Sequence, residues 1–233
     1  MITITNEDNL EMMKRYPDNH FHLAIIDPPY GIQNSKSFPV LGKLSIDSVR
    51  IRQCSKSQVW DVEPPSQEFF DELFRVSKHQ IIWGMQYFAD KLPAFSSLII
   101  WDKQNGDTLF ADGEAAYCSI KGTLRIWKHL WCGAAKESER GAKVIHINQK
   151  PVQLYKWLLA KYAKPGQRIL DTHLGSGSIA IACHDMGFDL TACEIDKEYF
   201  ESATTRLRLH QEQKTLFSEI ADNIPTPDPA LIV

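Results

Sequence analysis

Arg168-Ile169-Leu170-Asp171-Thr172-His173-Leu174-Gly175-Ser176-Gly177-Ser178 is a short apolar run that ends in a glycine-rich turn. Ile179 to Met186 follows as a helix, and Phe188 to Glu194 as a second apolar run closed by an acid. Strand, tight turn, helix and strand in this order make a βαβ unit, and such a unit requires a parallel sheet. Glu194 stands 23 positions beyond Asp171. That is close to the roughly 20 positions that separate a glycine loop from a ribose-binding carboxylate in dinucleotide folds. Glycines let backbone amides approach a ligand, so the stretch reads as a site for a ribose-bearing molecule. Gly175 to Ala180 also fits the G-x-G-x-x-G/A pattern, which keeps a nicotinamide or flavin enzyme in view.

The same strand and helix rhythm runs through the rest of the chain. Ile2 to Thr5 alternates as a short strand, and Asn6 or Asp8 can cap a helix that begins near Asn9 and ends by Pro17. Phe21 to Ile26 is a near-continuous apolar run of the kind found in a sheet covered on both faces. Ser66 caps a helix with its apolar stripe at Phe69, Leu73 and Val76. Gln80 to Trp83 and Ser97 to Trp101 are strands with a short helix around Gln86 to Lys91 between them. Ala115 to Ile120 and Leu124 to Trp131 read as two further strands joined across Lys121-Gly122. Pro151 opens a helix over Val152 to Ala163, and Lys197 to His210 forms the last one. Beyond Thr215 the chain is polar and proline-rich, so residues 218–233 are expected as a disordered tail after a single domain over 1–217.

Chemistry is suggested at a second place. Asp27-Pro28-Pro29-Tyr30 follows the apolar run of Leu23 to Ile26 and sets a carboxylate, two prolines and an aromatic ring in a stiff corner at the end of a buried strand. That combination suits a flat, amine-bearing ring. The nicotinamide reading leaves it unexplained.

At 233 residues, 43% hydrophobic and 24% charged, the chain has the composition of an ordinary globular protein. No run of eighteen apolar residues and no leader-like segment is present, and a cytoplasmic protein without membrane association is expected. Five cysteines without a CxxC pair indicate neither a disulfide framework nor a metal site. The net charge of -3 excludes a binder that works by bulk positive charge. Two local stretches are nevertheless basic. Between Gln33 and Ser57, Lys36, Lys43, Arg50, Arg52 and Lys56 face Asp47 alone, inside a periodless segment over 31–62 that is expected to be a mobile loop. Lys121, Arg125, Lys128, Lys136, Arg140 and Lys143 outnumber Glu137 and Glu139 in the second.

With both motifs in hand, and with His146-Ile147-Asn148-Gln149-Lys150-Pro151 as a third, the sequence resembles the S-adenosylmethionine-dependent DNA amino-methyltransferases, in the permuted group where DPPY precedes the cofactor glycine loop. The resemblance spans nearly the whole chain. It implies an α/β fold: a Rossmann-like, doubly wound, mostly parallel seven-stranded sheet with one antiparallel strand. It implies that Asp27 and the Pro28 carbonyl accept the hydrogens of an exocyclic amine, with Pro29 stiffening the turn and Tyr30 stacking on the base. S-adenosylmethionine is the implied cofactor, with no metal. Gly175, Ser176 and Gly177 would line its methionine, Asp171 would receive its ammonium and Glu194 its ribose. Lys150 would face its carboxylate, and Asp8 its adenine unless Asp8 serves only as a helix cap. Where the family has D-P-F-x-G-S-G, this chain carries Thr172 and His173 in place of Pro-Phe, and His173 is expected to pack or hydrogen-bond in lieu of the lost ring.

The implied substrate is adenine in double-stranded DNA, extruded from the helix. Methylation of the cytosine 4-amino group or of an RNA base, and an inactive cofactor- and DNA-binding subunit, are the alternatives. Target choice would fall to residues 119–148 and the 31–62 loop, where Lys36, Lys43, Arg50, Arg52, Arg125, Lys128, Lys136 and Arg140 would meet phosphates. About thirty residues is little for recognition, so a short target sequence or a homodimer is expected.

Overall fold

The computed structural model describes residues 1–32, 63–106, 111–132, 135–142, 144–146 and 148–222. Of the loop expected over 31–62, Lys36, Lys43, Arg50 and Arg52 lie outside the described residues.

Among the described residues ten strands and five α-helices follow one another: β1 (Ile2–Thr5), α1 (Asn9–Lys14), β2 (Leu23–Ile26), α2 (Gln67–Val76), β3 (Gln80–Trp83), β4 (Ser97–Asp102), β5 (Gly113–Cys118), β6 (Arg125–Lys128), β7 (Trp131–Cys132), β8 (Ala135–Lys136), α3 (Val152–Tyr162), β9 (Arg168–Asp171), α4 (Ser178–Met186), β10 (Asp189–Cys193) and α5 (Lys197–Asp222). Eight strands form one sheet in the order β1-β10-β9-β2-β3-β5-β4-β6, and β7 and β8 pair separately. Within the large sheet only β5 runs against its neighbours. The mostly parallel α/β sheet with one antiparallel strand is therefore as expected, with eight strands where seven were implied.

All eight strands of this sheet fall in runs that the sequence marks as strands, and the local difference is in how two of them pair. β5 and β6 do not form a hairpin, because β5 is inserted between β3 and β4 and both of its edges are taken. The chain crosses instead to the far side of β4, where β6 pairs in parallel with Trp101 opposite Trp127. A second difference lies at the end of the chain. α5 runs on to Asp222, past the expected boundary at 217, and residues 223–233 lie outside the described residues.

The sheet is covered on both faces, and β2 shows why its sequence is apolar throughout. Leu23 and Ile25 point into one core with Leu154, Leu158, Ile179 and Leu207, whereas Ala24 and Ile26 point into the other with Met12, Met13, Phe70 and Leu73. Alternation with a period of two thus feeds two helical layers from one strand. α1 begins at Asp8, whose carboxylate accepts from the Leu10 and Glu11 amides at 2.8 and 3.2 Å. α2 begins at Ser66, whose hydroxyl accepts from Phe69 N at 3.2 Å.

The strand order reverses between β9 and β2. From β9 the chain steps to β10 on one side, with β1 beyond it at the sheet edge; from β2 it steps to β3 on the other. Ligands of open α/β sheets bind at the carboxyl ends of strands at such a switch point. Phe70 in the core beneath is fully buried. Phe70→Ala is expected to lower unfolding free energy by about 3–5 kcal/mol, measured by urea denaturation; a loss below about 1 kcal/mol would contradict this packing.

Candidate active site at the switch point

β2 and β9 are hydrogen-bonded neighbours in parallel register, Ala24 opposite Leu170. The residues just past their carboxyl ends, Asp27 on one side and Asp171 to Gly177 on the other, are thereby set side by side although 144 positions separate the two aspartates.

On the β2 side, Tyr30 Oη donates to Asp27 Oδ1 at 2.6 Å, and Lys150 Nζ donates to Asp27 Oδ2. Burial pushes the Asp27 carboxyl up and Lys150 pulls it back part of the way. Burial and the Asp27 charge hold the Tyr30 phenol well above its ordinary range, so it stays protonated and donates. The Tyr30 ring stacks on Tyr87 at 4.9 Å and 16°, and meets Phe88 edge-on at 6.1 Å. Gly84 makes this placement possible. It has φ of 73°, and a Cβ there would lie 2.2 Å from Tyr30 Cε1. Gly31, φ 72°, touches Pro64, so the chain leaves and returns beside the same corner.

The ammonium of Lys150 sits between Asp27 and Glu114, 2.9 Å from Glu114 Oε2. The reason is the direction of β5. An antiparallel strand brings its amino end to the carboxyl ends of its neighbours, with Trp101 opposite Glu114.

On the β9 side, Asp171 is buried and accepts from His173 N at 3.0 Å. Burial, with the negative Asp27 and Glu194 nearby, pushes its carboxyl up to about 8. Glu194 accepts from Gly175 N at 2.8 Å and Asp196 N at 3.0 Å, which ties the glycine turn to the end of β10; burial also raises its pKa. Among the described residues neither acid has a salt-bridging cation. Gly175 and Gly177 both have positive φ, and a Cβ at Gly177 would press on Ala203 of α5 at 3.1 Å. Ser176 is buried, and its carbonyl accepts from Arg206 Nη1 at 3.0 Å.

His173 lies beside the amino end of α1. Its ring packs edge-on against Phe69 at 5.3 Å, Nδ1 lies 2.8 Å from Thr172 Oγ1 and Nε2 lies 3.1 Å from Asn9 Nδ2. Burial drives its pKa down to about 4, so it is neutral. Asp8 acts as the α1 cap described above, beside this histidine.

The described basic residues divide. Lys128 lies at the carboxyl end of β6, opposite Asp102, whereas Arg125 lies three residues back along the same edge, about 10 Å further from the site. Both are exposed. Lys136 lies over the Trp131 ring at 4.2 Å, and Arg140 donates to the Lys136 carbonyl at 2.8 Å. Sequence reasoning missed Glu114, Lys103, Gly84, Tyr87, Glu139 and Arg206. For Glu114 a signal existed: it is a lone acid opening an otherwise apolar strand, Ala115-Ala116-Tyr117-Cys118. Glu139 carries no such mark. It accepts from Val152 N at 2.7 Å and from Arg206 Nη2 at 2.7 Å, a pairing across 67 positions.

A family model described as DNA methylase, whose name covers both N6 and N4 enzymes, matches residues 119–205. Over these residues the chain is similar to the DNA methylases, the family that its three motifs resemble. Among relatives, the type II methyltransferase M1.MboII of Moraxella bovis is 28% identical over 102 residues, 43% of this chain and 37% of its own. M.HinfI of Haemophilus influenzae is 21% identical over 244 residues, 88% of this chain and 68% of its own. The M1.HpyAVI–SAM complex has the same fold, with a TM-score of 0.56 at 22% identity, over 89% of this chain and all of that one. The match thus spans about a third of the first relative and two thirds of the second.

Among the described residues no helix is long and apolar enough to cross a membrane, and no group of three His, Cys, Asp or Glu side chains could hold a metal ion. A cavity of about 370 Å³ lined by Met1, Ile2, His184 and Phe188 opens at the amino ends of β1 and β10, the end of the sheet away from this site. Gly84→Ala is expected to displace the Tyr30 ring from Asp27 and to cost at least about 1–2 kcal/mol through the left-handed backbone alone. A crystal structure of the variant with Tyr30 unmoved would contradict the role given to this glycine.

Proposed function

We propose that this chain transfers a methyl group from S-adenosylmethionine to the exocyclic 6-amino group of adenine in double-stranded DNA, acting on a base flipped out of the helix. The observation that carries this reading is the juxtaposition of Asp27 with the glycine turn across the β2–β9 register. S-adenosylmethionine supplies an electrophilic methyl group on a sulfonium. The residues present fit it. Asp171 and Glu194 are buried acids lacking a salt-bridging cation among the described residues, and they flank a turn whose glycines leave the backbone bare. Asp171 would receive an ammonium, whose arrival would draw its raised pKa back down. Glu194 would accept from ribose hydroxyls.

An aniline-like amine donates its lone pair into its ring and is a poor nucleophile. Asp27 and the Pro28 carbonyl, held by two prolines of fixed φ, would accept its two hydrogens and free the lone pair for in-line attack. Asp27 does so best when ionised, since a carboxylate is the stronger acceptor and offsets the charge that the amine develops. It need not be a strong base, because the amine becomes acidic only as the new bond forms. Flipping costs a few kcal/mol, part of which stacking on Tyr30 would recover. Tyr87 covers the ring face of Tyr30 in this structure, so it must give way or share that stack.

Residues 119–148 would serve as the target-recognition region within one domain, together with the segment over 31–62 that leaves beside Tyr30. Lys128, Lys136 and Arg140 would contact phosphates there, with affinity that falls as salt rises. Asp at the first position of the motif, followed by Tyr, favours adenine. The 4-amino group of cytosine presents the same chemistry, and the family model covers both.

Incubation of the full chain with methyl-labelled S-adenosylmethionine and unmethylated genomic DNA, followed by nucleoside analysis, is expected to yield N6-methyladenine. N4-methylcytosine would redirect the substrate, and no label would refute the activity. Asp27→Ala is expected to reduce transfer by about 10²–10⁴-fold with cofactor binding by calorimetry unchanged.

A further inference from the structure

Lys103, Glu114, Lys150 and Asp27 form a chain of alternating charge that none of the three motifs accounts for. Lys103 Nζ lies 2.6 Å from Glu114 Oε1, and Lys150 Nζ lies 2.9 Å from Glu114 Oε2 while also donating to Asp27 Oδ2. Lys150 is almost wholly enclosed, at 3% side-chain exposure. Its ammonium also faces the Trp83 ring at 5.5 Å, as that of Lys103 faces Trp101 at 4.9 Å. The four residues come from four places: the turn after β2, the segment before α3, the amino end of β5 and the residue following β4. So many long-range placements converging on one carboxylate make a built arrangement.

We propose that Lys150 is a positioning residue for methyl transfer that keeps Asp27 ionised and fixes its orientation, and that Glu114, anchored by Lys103, sets how much of the Lys150 charge Asp27 receives. This rests on the reading of the site given under Proposed function. A carboxylate in this enclosure would tend to take a proton, because burial penalises its charge. Protonated, it would be a weaker acceptor for the amine hydrogen and would no longer offset the positive charge that develops on the nitrogen. The ammonium of Lys150 works against that penalty and favours the ionised form. Asp27 and Glu114 together hold that ammonium charged against the burial that works the other way. Burial likewise opposes the Glu114 charge, but Lys150 and Lys103 outweigh it and hold its carboxyl down to about 2. Glu114 is therefore a permanent anion that competes with Asp27 for the same cation.

Each oxygen of Asp27 retains a lone pair beyond the bond it accepts from Tyr30 or Lys150, so the carboxylate can be oriented by both and still accept from a base. The other groups facing Asp27 are Asp171 from β9, whose carboxyl burial and the Asp27 charge push up, and the phenols of Tyr30 and of Tyr155 from α3, both protonated.

Opposite signs make this testable. Transfer should fall on the acid side as Asp27 takes up a proton. Removing the neighbouring cation in Lys150→Met raises the Asp27 pKa, so the acid limb of kcat/KM is expected to move up by about 1–3 pH units. Removing the competing anion in Glu114→Gln lowers it, so the limb moves down. Lys150→Arg, which keeps the charge, is expected to return the limb towards its original position. The assay uses the full chain, labelled S-adenosylmethionine and unmethylated genomic DNA, with cofactor affinity measured by calorimetry at each pH. Limbs that stay in place while transfer drops equally at every pH, or that move in the same direction in both variants, would overturn the assignment. Should Lys150→Met fail to fold, the downward shift in Glu114→Gln carries the test, and an unmoved limb there is equally fatal. No transfer by the unaltered chain at any pH would remove the underlying activity, and this role with it.

Discussion

The backbone ladder between β2 and β9 is the constraint on which this molecule depends. Two strands of four residues, far apart in the chain, share a parallel register, Leu23 opposite Ile169 and Ala24 opposite Leu170. Everything chemical then lies within a few residues of their carboxyl ends, as the geometry of open α/β sheets demands. A one-residue slip in this pairing would send Leu23 and Ile25 to the layer that now receives Ala24 and Ile26. The two cores differ too much for that: one holds Met12, Met13, Phe70 and Leu73, the other Leu154, Leu158 and Ile179. Core packing thus fixes the register, and the register fixes the site.

This accounts for what could be read from the residues alone. Motifs at strand ends were legible because a strand and its following turn are local: Asp27 after Leu23–Ile26, and Gly175 and Gly177 after Arg168–Asp171. The helix caps at Asp8 and Ser66 were legible for the same reason. Illegible were the placements that depend on sheet order. Nothing near Glu114 says that β5 runs antiparallel between β3 and β4, yet that single fact brings its carboxylate to the site and gives Lys150 a second partner. The same insertion defeated the hairpin reading of residues 115–131. Tyr87 and Gly84 escaped notice because their importance lies in contact with Tyr30, 54 residues earlier in the sequence for Gly84.

The ion chain must be weighed against its cost. Burying charges costs several kcal/mol each before pairing, and a buried pair is often no more stabilising than well-packed apolar side chains of similar volume. Four such groups therefore make poor sense as a device for stability alone, when Trp83, Trp101 and Tyr155 already fill the space around them. Their alternation in sign brings the cluster to neutrality, which lessens the cost without removing it. An arrangement that stability does not require, centred on the carboxylate that faces the switch point, is better understood through what that carboxylate must do.

The glycine turn is braced from the opposite side by a separate network. Arg206, on the long final helix, reaches the Ser176 carbonyl and the Ser178 hydroxyl with one nitrogen, and Glu139 with another. Glu139 in turn accepts the first amide of α3, two residues beyond Lys150. One guanidinium thus ties the turn after β9 to the segment that carries Lys150, and through it to Asp27. A planar fork with several donors can serve two such partners at once, which an ammonium on a flexible stem does less well. The two halves of the site are joined below by the β2–β9 ladder and across their upper edge by this side chain. Both connections leave the opening between Asp27 and Gly175 to be set by rigid elements, as a reaction that depends on in-line geometry requires.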